Sequence, residues 1–417
     1  MRIERLGSGG TPAAVLRALA RLAADRDAPA PAALIGDWFG SRAVLAPAVT
    51  TTPVPPRTAF DLSGRPTADR EPGDRPLIGG GWIGYLGYPD LPADGARALP
   101  AAAGGWTDSV LRQDADGCWW YESLTENPCP PAWSEAATRP DPDPRPWHVE
   151  WTPPDRAAHH SGVTRCLDAI AAGEVYQACV CARYTGRMHG DPLDFFADAA
   201  DATRPARAAY LQGPWGAVAS LSPELYLSRH GDRVTSSPIK GTLPIGADPE
   251  LLRASVKDVA ENVMIVDLVR NDLGHLAIPG TVVVTDLLGV HPAPGVWHLV
   301  STVAATVPPG TTTADLLDAS FPPASVTGCP KHRARQLLRV WEPHPRGVYC
   351  GTVGFASPLA GTELNVAIRT VEFDADGNAA LGVGGGITID SDPDAEWQEC
   401  LDKASSIVTL RAAAHRI

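Results

Sequence analysis

The segment LNVAIRTVEFDADGNAALGVGGGITIDSDPDAEWQECLDK, residues 364–403, decides how the chain is read. Leu364–Phe373 and Ala379–Thr388 are runs of apolar and β-branched residues joined across Asp374–Gly377, a turn sequence, and they predict two antiparallel strands. Asp392-Pro393 then supplies an N-cap and a proline at the first helical position, opening a helix that runs to about Ala413. The same grammar extends upstream. Ala217–Leu227 and Val234–Ile239 flank a hairpin turn at His230-Gly231-Asp232, and Pro249–Asn271 reads as one long helix capped by Asp248. Thr281–Thr285, Val296–Thr306, Val348–Ala356 and Val175–Arg187 read as strands, and His159–Ala172 as a helix ended by Gly173. Strands joined by hairpins, with helices grouped rather than alternating, indicate an α+β fold and not a doubly wound parallel sheet.

Nearer the start, Thr11–Asp25 has helical spacing, and Gly79–Gly81 leads into a strand at Trp82-Ile83-Gly84-Tyr85. Between Glu126 and Asp155 nine prolines crowd together. That stretch reads as a linker unable to sustain helix or central strand. It divides a mixed N-terminal region, residues 1–150, from a C-terminal domain, residues 151–417. The 417 residues are 44% apolar and 20% charged, ordinary globular usage, and no apolar run is long enough for a membrane span. Met1–Gly10 is polar and lacks a signal-peptide core, so a cytoplasmic location is expected. A net charge of −13 argues against a nucleic-acid partner. The eight cysteines show no CxxC pair, which argues against zinc and against a disulfide framework.

Thirty-one of the thirty-five basic residues are arginine; only Lys240, Lys257, Lys331 and Lys403 are lysine. A chain that writes arginine for generic positive charge keeps lysine where a compact ammonium or a deprotonatable amine is wanted. Lys240 lies at a strand end in Ser237-Pro238-Ile239-Lys240-Gly241-Thr242, and Glu224 sits sixteen residues earlier on the other arm of the same hairpin. Pairing across that hairpin brings an acid and a nucleophilic amine together; two solvated charges is the alternative. Glu261 falls at the edge of an apolar helical stripe, where a carboxylate needs a cation. Glu396, Glu399 and Lys403 share one face of the last helix. The two carboxylates have the spacing to share a divalent cation, and equally that of a solvated face with a Glu399–Lys403 pair.

Ser222-Pro223-Glu224, Pro238–Thr242, Lys257-Asp258 with Glu261, Asp267–Asp272, His298–Ser301, Thr327-Gly328-Cys329-Pro330-Lys331, Ile368-Arg369-Thr370 and Glu396–Glu399 together resemble the chorismate-utilising enzymes in order and spacing. The likeness runs from about Ser161 to the C-terminus, with scattered pieces such as Gly80–Tyr88 before it. It implies large antiparallel sheets packed with helices in a layered sandwich. Gln177 stands where family members that add water carry a lysine, which points to ammonia as the nucleophile. Lys240 stands where anthranilate synthases have alanine, and Pro-Ile-Lys-Gly-Thr is the pattern of the branch that aminates carbon 4 of chorismate.

For that branch the resemblance implies a two-step displacement: Lys240 attacks ring carbon 2 while Glu224 protonates the departing 4-hydroxyl, and ammonia then adds at carbon 4. It implies Mg²⁺ held by Glu261 and Glu399, with Glu396 nearby, and substrate anionic groups received by Arg369, the amides around Gly385, and Lys403. His298, Thr327 and Tyr349 fall on pocket positions. A dianionic substrate would thus enter a protein of charge −13 through a locally cationic cleft. Cys179, Cys329 and Ile245 depart from the usual family residues. No glutaminase Cys-His-Glu set is visible, so a separate glutamine amidotransferase is the expected ammonia source. Anthranilate or 2-amino-2-deoxyisochorismate synthesis, and a non-catalytic regulatory role, are the competing readings.

Overall fold

The structure is a computed structural model and describes residues 1–63, 77–89, 98–140 and 144–412. Alternation along its strands sets the layers. In the strand Arg207–Gly213, Ala208 and Tyr210 pack against helices Pro12–Ala24 and Pro192–Thr203, while Ala209 and Leu211 join a second cluster on the opposite face. That second cluster draws Leu34, Val44 and Val218 from one sheet and Ile83, Tyr85, Val353 and Phe355 from another. The other sheet's outer face is covered in turn by helices Val256–Gly274 and Thr313–Ser320, through Ile265, Val269, Leu316 and Leu317. The result is the expected α+β layered sandwich: helices, a twelve-stranded sheet, a ten-stranded sheet, helices. Every pairing between the described strands is antiparallel. Strands from both sides of residue 150 share each sheet: Ala32–Trp38 pairs with Arg207–Gly213, and Gly81–Leu86 with Thr352–Ser357.

The two runs read as single strands, Ala217–Leu227 and Leu364–Phe373, are each broken. Gly216–Ser222 pairs with Thr370–Asp374 in the twelve-stranded sheet, and their continuations, Leu225–His230 and Gly361–Asn365, pair in the ten-stranded sheet. The four segments form one two-stranded ribbon that passes from sheet to sheet. One arm bends at Pro223, which has no N–H to give to a ladder, and the other at Arg369, which adopts φ +51. Buried polar groups close the bend: the Asn365 amide donates to Ser220 Oγ at 3.1 Å and to the Arg207 carbonyl at 2.9 Å, and Thr370 Oγ1 lies 2.9 Å from Ser220 Oγ. Glu224 and Arg369 therefore project from the crossing itself.

Other boundaries also shift. The helix read from Pro249 to Asn271 is two, Glu250–Ala254 and Val256–Gly274, because Ser255 is extended and its side chain accepts from the Asp258 amide as an N-cap. Asp248 does accept from the Glu250 amide, at 3.0 Å. The proline-rich stretch holds more structure than a linker: Pro131–Thr138 is helical and His148–Thr152 is a strand on Gln177–His189. Two of its prolines stand just before and at the first helical position, where no N–H is needed, and the strand lies at a sheet margin. Pro142 lies outside the described residues. Val348–Ala356 becomes a strand only from Thr352, and the final helix spans Pro393–Val408 with Asp392 as its cap. Among the described residues no helix is long and apolar enough to cross a membrane.

Phe355 is fully buried between the sheets and meets Phe39 edge-on at 6.2 Å. Phe355→Ala is expected to lower unfolding free energy by about 3–5 kcal/mol, read from chemical denaturation; a loss under about 1 kcal/mol would show that this inter-sheet layer is not what holds the sandwich.

Candidate active site

The strand Asn378–Ile387 runs beside both the final helix and the ends of the crossing ribbon, and glycine at 382, 384, 385 and 386 lets side chains reach its backbone. A methyl group at Gly385 would stand 2.8 Å from Glu396 Oε2; one at Gly386 would stand 3.4 Å from both Lys240 Nζ and Glu261 Oε2, and 3.6 Å from Gln177 Oε1. Lys240, Glu261, Gln177 and Gly386 therefore meet at one point, from four different elements.

Lys240 Nζ donates to the Ser325 carbonyl at 3.1 Å and lies 3.8 Å from Glu261. Ser325 also faces Glu224 through its hydroxyl, so it touches both the amine and the acid. Glu224 is 4% exposed, and burial pushes its carboxyl up to about 7, against the opposing pull of Ser325, Lys240 and the Ile239 amide. The hairpin register ends at Leu225 opposite Ser237, so Glu224 and Lys240 lie just past the paired strands rather than across them. His298 Nδ1 is 2.9 Å from Thr242 Oγ1, and burial, together with the charge of Arg369, lowers its ring to about 4 and keeps it neutral. Arg369 is largely enclosed; burial lowers its pKa, and among the described residues no carboxylate pairs with it.

The acidic groups form a second cluster. Glu396 is 2% exposed: Oε1 accepts from Lys257 Nζ at 3.1 Å and Ser391 Oγ at 2.6 Å, while Oε2 is buried without a hydrogen-bond partner. Lys257 also stands 4.0 Å from Glu261, whose carboxyl burial raises despite Lys240 and Lys257. Glu399 is paired with Lys403 at 2.6 Å, and Lys403 donates to the Gly384 carbonyl at 2.9 Å. Burial opposes the Glu399 charge, but Lys403 holds its pKa below the usual range. The local Glu399–Lys403 pair is thus real and half-exposed, while Glu396 on the same helix is enclosed.

Three hard-oxygen donors with one orphaned buried oxygen suit a divalent cation by chemistry. Among the described residues, however, no three acidic, histidine or cysteine groups already converge as a coordination shell. Other residues frame these clusters. Thr327 is fully buried, its hydroxyl donating to the Pro323 carbonyl at 2.9 Å and its carbonyl accepting from the Cys179 amide. Tyr349 is buried with its ring against Gly382, three residues from Gly385, among Cys179, Cys181 and Cys350. The Gln177 side chain is 2% exposed and its Oε1 has no partner.

Lys257, Ser325, Ser391 and Arg346 belong to this picture though the sequence placed none in the site. Arg346 donates to the carbonyls of Val326 and Cys179 and to Glu342, tying the Thr327 turn to the Gln177 strand. Ser325 acts partly through a carbonyl, which leaves no sequence signal, and Ser391 is masked by the helix-capping pattern around it. Lys257 carried a signal, its rarity as a lysine.

Comparison with known proteins identifies the family. The pattern of the chorismate binding enzymes matches residues 50–409, and the chain belongs to that family. The match begins well before Ser161, where the recognisable motifs start. The chain is 39% identical over 352 residues to aminodeoxychorismate synthase component 1 of Klebsiella aerogenes, covering 80% of this chain and 77% of that one. It is 36% identical over 300 residues to anthranilate synthase component 1 of Streptomyces coelicolor, covering 69% and 58%. Its fold matches that of the menaquinone-specific isochorismate synthase of Escherichia coli with a TM-score of 0.72 at 19% identity, covering 98% of this chain and 94% of that one.

Glu224 gives a pH signature. Its folded pKa, about 7, is raised above the ordinary 4.5, so its contribution to stability is full below pH 4.5 and is lost as pH rises through 7. The stability of the protein minus that of Glu224→Gln should therefore fall between those values and be flat above, in denaturation series across pH. A difference that grows with pH would mean the carboxyl is ionised in the folded state.

Proposed function

We propose that this chain converts chorismate and ammonia to 4-amino-4-deoxychorismate and water. The observation that carries the reading is Lys240 Nζ held between the Ser325 carbonyl and Glu261 beside Gly386, with Glu224 on the other side of the same serine. The Klebsiella aerogenes relative, 39% identical, supports it.

In this reading Lys240, as the free amine, bonds to ring carbon 2, both ring double bonds shift by one position, and the 4-hydroxyl departs with the electron pair of its bond to carbon 4; the shift reverses in the second step. Glu224, with a carboxyl near 7, is protonated often enough at neutral pH to give that hydroxyl its proton, so that it leaves as water. Ammonia then bonds to carbon 4, the carbon 2–Nζ bond breaks with its electron pair returning to Lys240, and the new ammonium gives its surplus proton to the Glu224 carboxylate. Acid and amine are both restored. Arg369, which pairs with no carboxylate among the described residues, receives one substrate carboxylate, with the Gly385 amides and Lys403 toward the other. Neutral His298 lines the pocket beside Arg369 without competing for the anion, and Thr327 and Tyr349 hold its walls. Gln177, uncharged where a basic group would activate water, favours ammonia.

Glu261, Glu399 and Glu396 would hold Mg²⁺, which when bound would supply a Lewis acid for a substrate carboxylate. A glutamine amidotransferase would deliver the ammonia, a role suggested by the words "component 1" in the relative's name. Residues 151–417 would form the catalytic domain, with residues 1–150 woven onto it. A cytoplasmic setting accords with eight unbonded cysteines. The Streptomyces coelicolor relative favours anthranilate synthesis as the second reading, but Lys240 weighs against it.

With chorismate, Mg²⁺ and ammonium, product analysis should find 4-amino-4-deoxychorismate. Lys240→Ala should lose it, and Glu224→Gln should slow it by about 10²–10⁴-fold. Anthranilate or isochorismate from the unaltered protein would overturn the assignment while leaving the family intact.

A further inference from the structure

All four lysines of this arginine-rich chain make ion pairs, and three of them meet the carboxylates just described: Lys257 with Glu396 and Glu261, Lys240 with Glu261, and Lys403 with Glu399. The fourth, Lys331, holds Asp272 at 2.6 Å, and Asp272 and Glu224 line one small cavity. Lys257 differs from the other two. Lys403 is anchored to the Gly384 carbonyl and Lys240 to the Ser325 carbonyl, whereas among the described residues the polar partners of Lys257 are the carboxylates of Glu396 and Glu261 alone, and 44% of its side chain is exposed. Its ammonium bridges two carboxylates that come from separate helices, and the other Glu396 oxygen, Oε2, is buried with no hydrogen-bond partner among the described residues.

We propose that Lys257 is a displaceable placeholder cation: it neutralises Glu261 and Glu396 when no divalent ion is bound, and swings to solvent when one binds. This rests on the assignment of those carboxylates to a Mg²⁺ site. The chemistry explains why lysine stands here. An ammonium on a flexible stem makes single, readily exchanged contacts, whereas a guanidinium would fork across the carboxylate and hold it. Without a cation, two enclosed carboxylates would face each other across the cleft, and the helices Val256–Gly274 and Pro393–Val408 would be pushed apart. Lys257 therefore keeps the empty site assembled at the expense of metal affinity, setting a threshold for loading.

The test is Mn²⁺ binding followed by electron paramagnetic resonance, with thermal melting in chelator and in Mg²⁺, neither of which requires turnover. Lys257→Gln should bind Mn²⁺ about tenfold more tightly than the unaltered protein. It should melt lower in chelator and gain more from Mg²⁺. Lys257→Arg should melt normally in chelator and bind Mn²⁺ about tenfold more weakly. Equal or weaker binding by Lys257→Gln overturns the placeholder role, and so does unchanged binding by Lys257→Arg, which decides the matter if the glutamine variant does not fold. If the unaltered protein binds no Mn²⁺ at millimolar concentration with chorismate present, the metal assignment itself fails, and this inference with it.

Discussion

A strand left bare at four glycines is the constraint on which the site depends. Gly382, Gly384, Gly385 and Gly386 leave part of the strand Asn378–Ile387 bare: Tyr349, Cys181 and Glu396 occupy space a Cβ would need at the first three, and the Lys240–Glu261–Gln177 group gathers beside the fourth. Close packing in protein interiors leaves little slack for a substituent that is not accommodated. The strand also joins the two halves of the chemistry: on one side it meets the final helix with its carboxylates, on the other the end of the ribbon that carries Glu224 and Arg369. A glycine-rich strand is costly in chain entropy, and unbroken pairing of Asn378–Ile387 with Gln177–His189, with Ala379–Leu381 also paired to Val371–Phe373, offsets that cost.

The ribbon is the second organising device. By bending from one sheet into the other it delivers two polar residues, Glu224 and Arg369, into a region otherwise walled by apolar layers. Burial there changes both residues: it raises a carboxyl toward neutral pH and encloses a guanidinium that no carboxylate among the described residues pairs with.

Lysine usage connects these features to the sequence. Because the chain otherwise writes arginine, its four lysines mark positions where a fork of five donors would bind too firmly or could not lose a proton. Three of them surround the carboxylate cluster, and the structure shows the division of labour: two are anchored to backbone carbonyls and one is held by charge alone. That Glu396 is enclosed, while Glu399 is half-open, was beyond reach of helical spacing, which places both on one face and says nothing of what lies opposite.

By itself the sequence determined the fold class, the hairpin over Asp374–Gly377, the cap at Asp392, and the identity of the chemical groups, because these depend on neighbours within a few positions. It misread Ala217–Leu227 and Leu364–Phe373 as unbroken, since alternation persists through a bend and is blind to which sheet a strand joins. It took Pro249–Asn271 as one helix because the cap at Ser255 competes with continuation through a single serine side chain. Only the tertiary structure decided that Lys240 and Glu224 share Ser325, that Lys257 bridges two helices, and that Arg369 is enclosed with no carboxylate partner among the described residues. Those are relations between segments tens to hundreds of residues apart, fixed by how two sheets pack and cross, and local pattern carries no record of them.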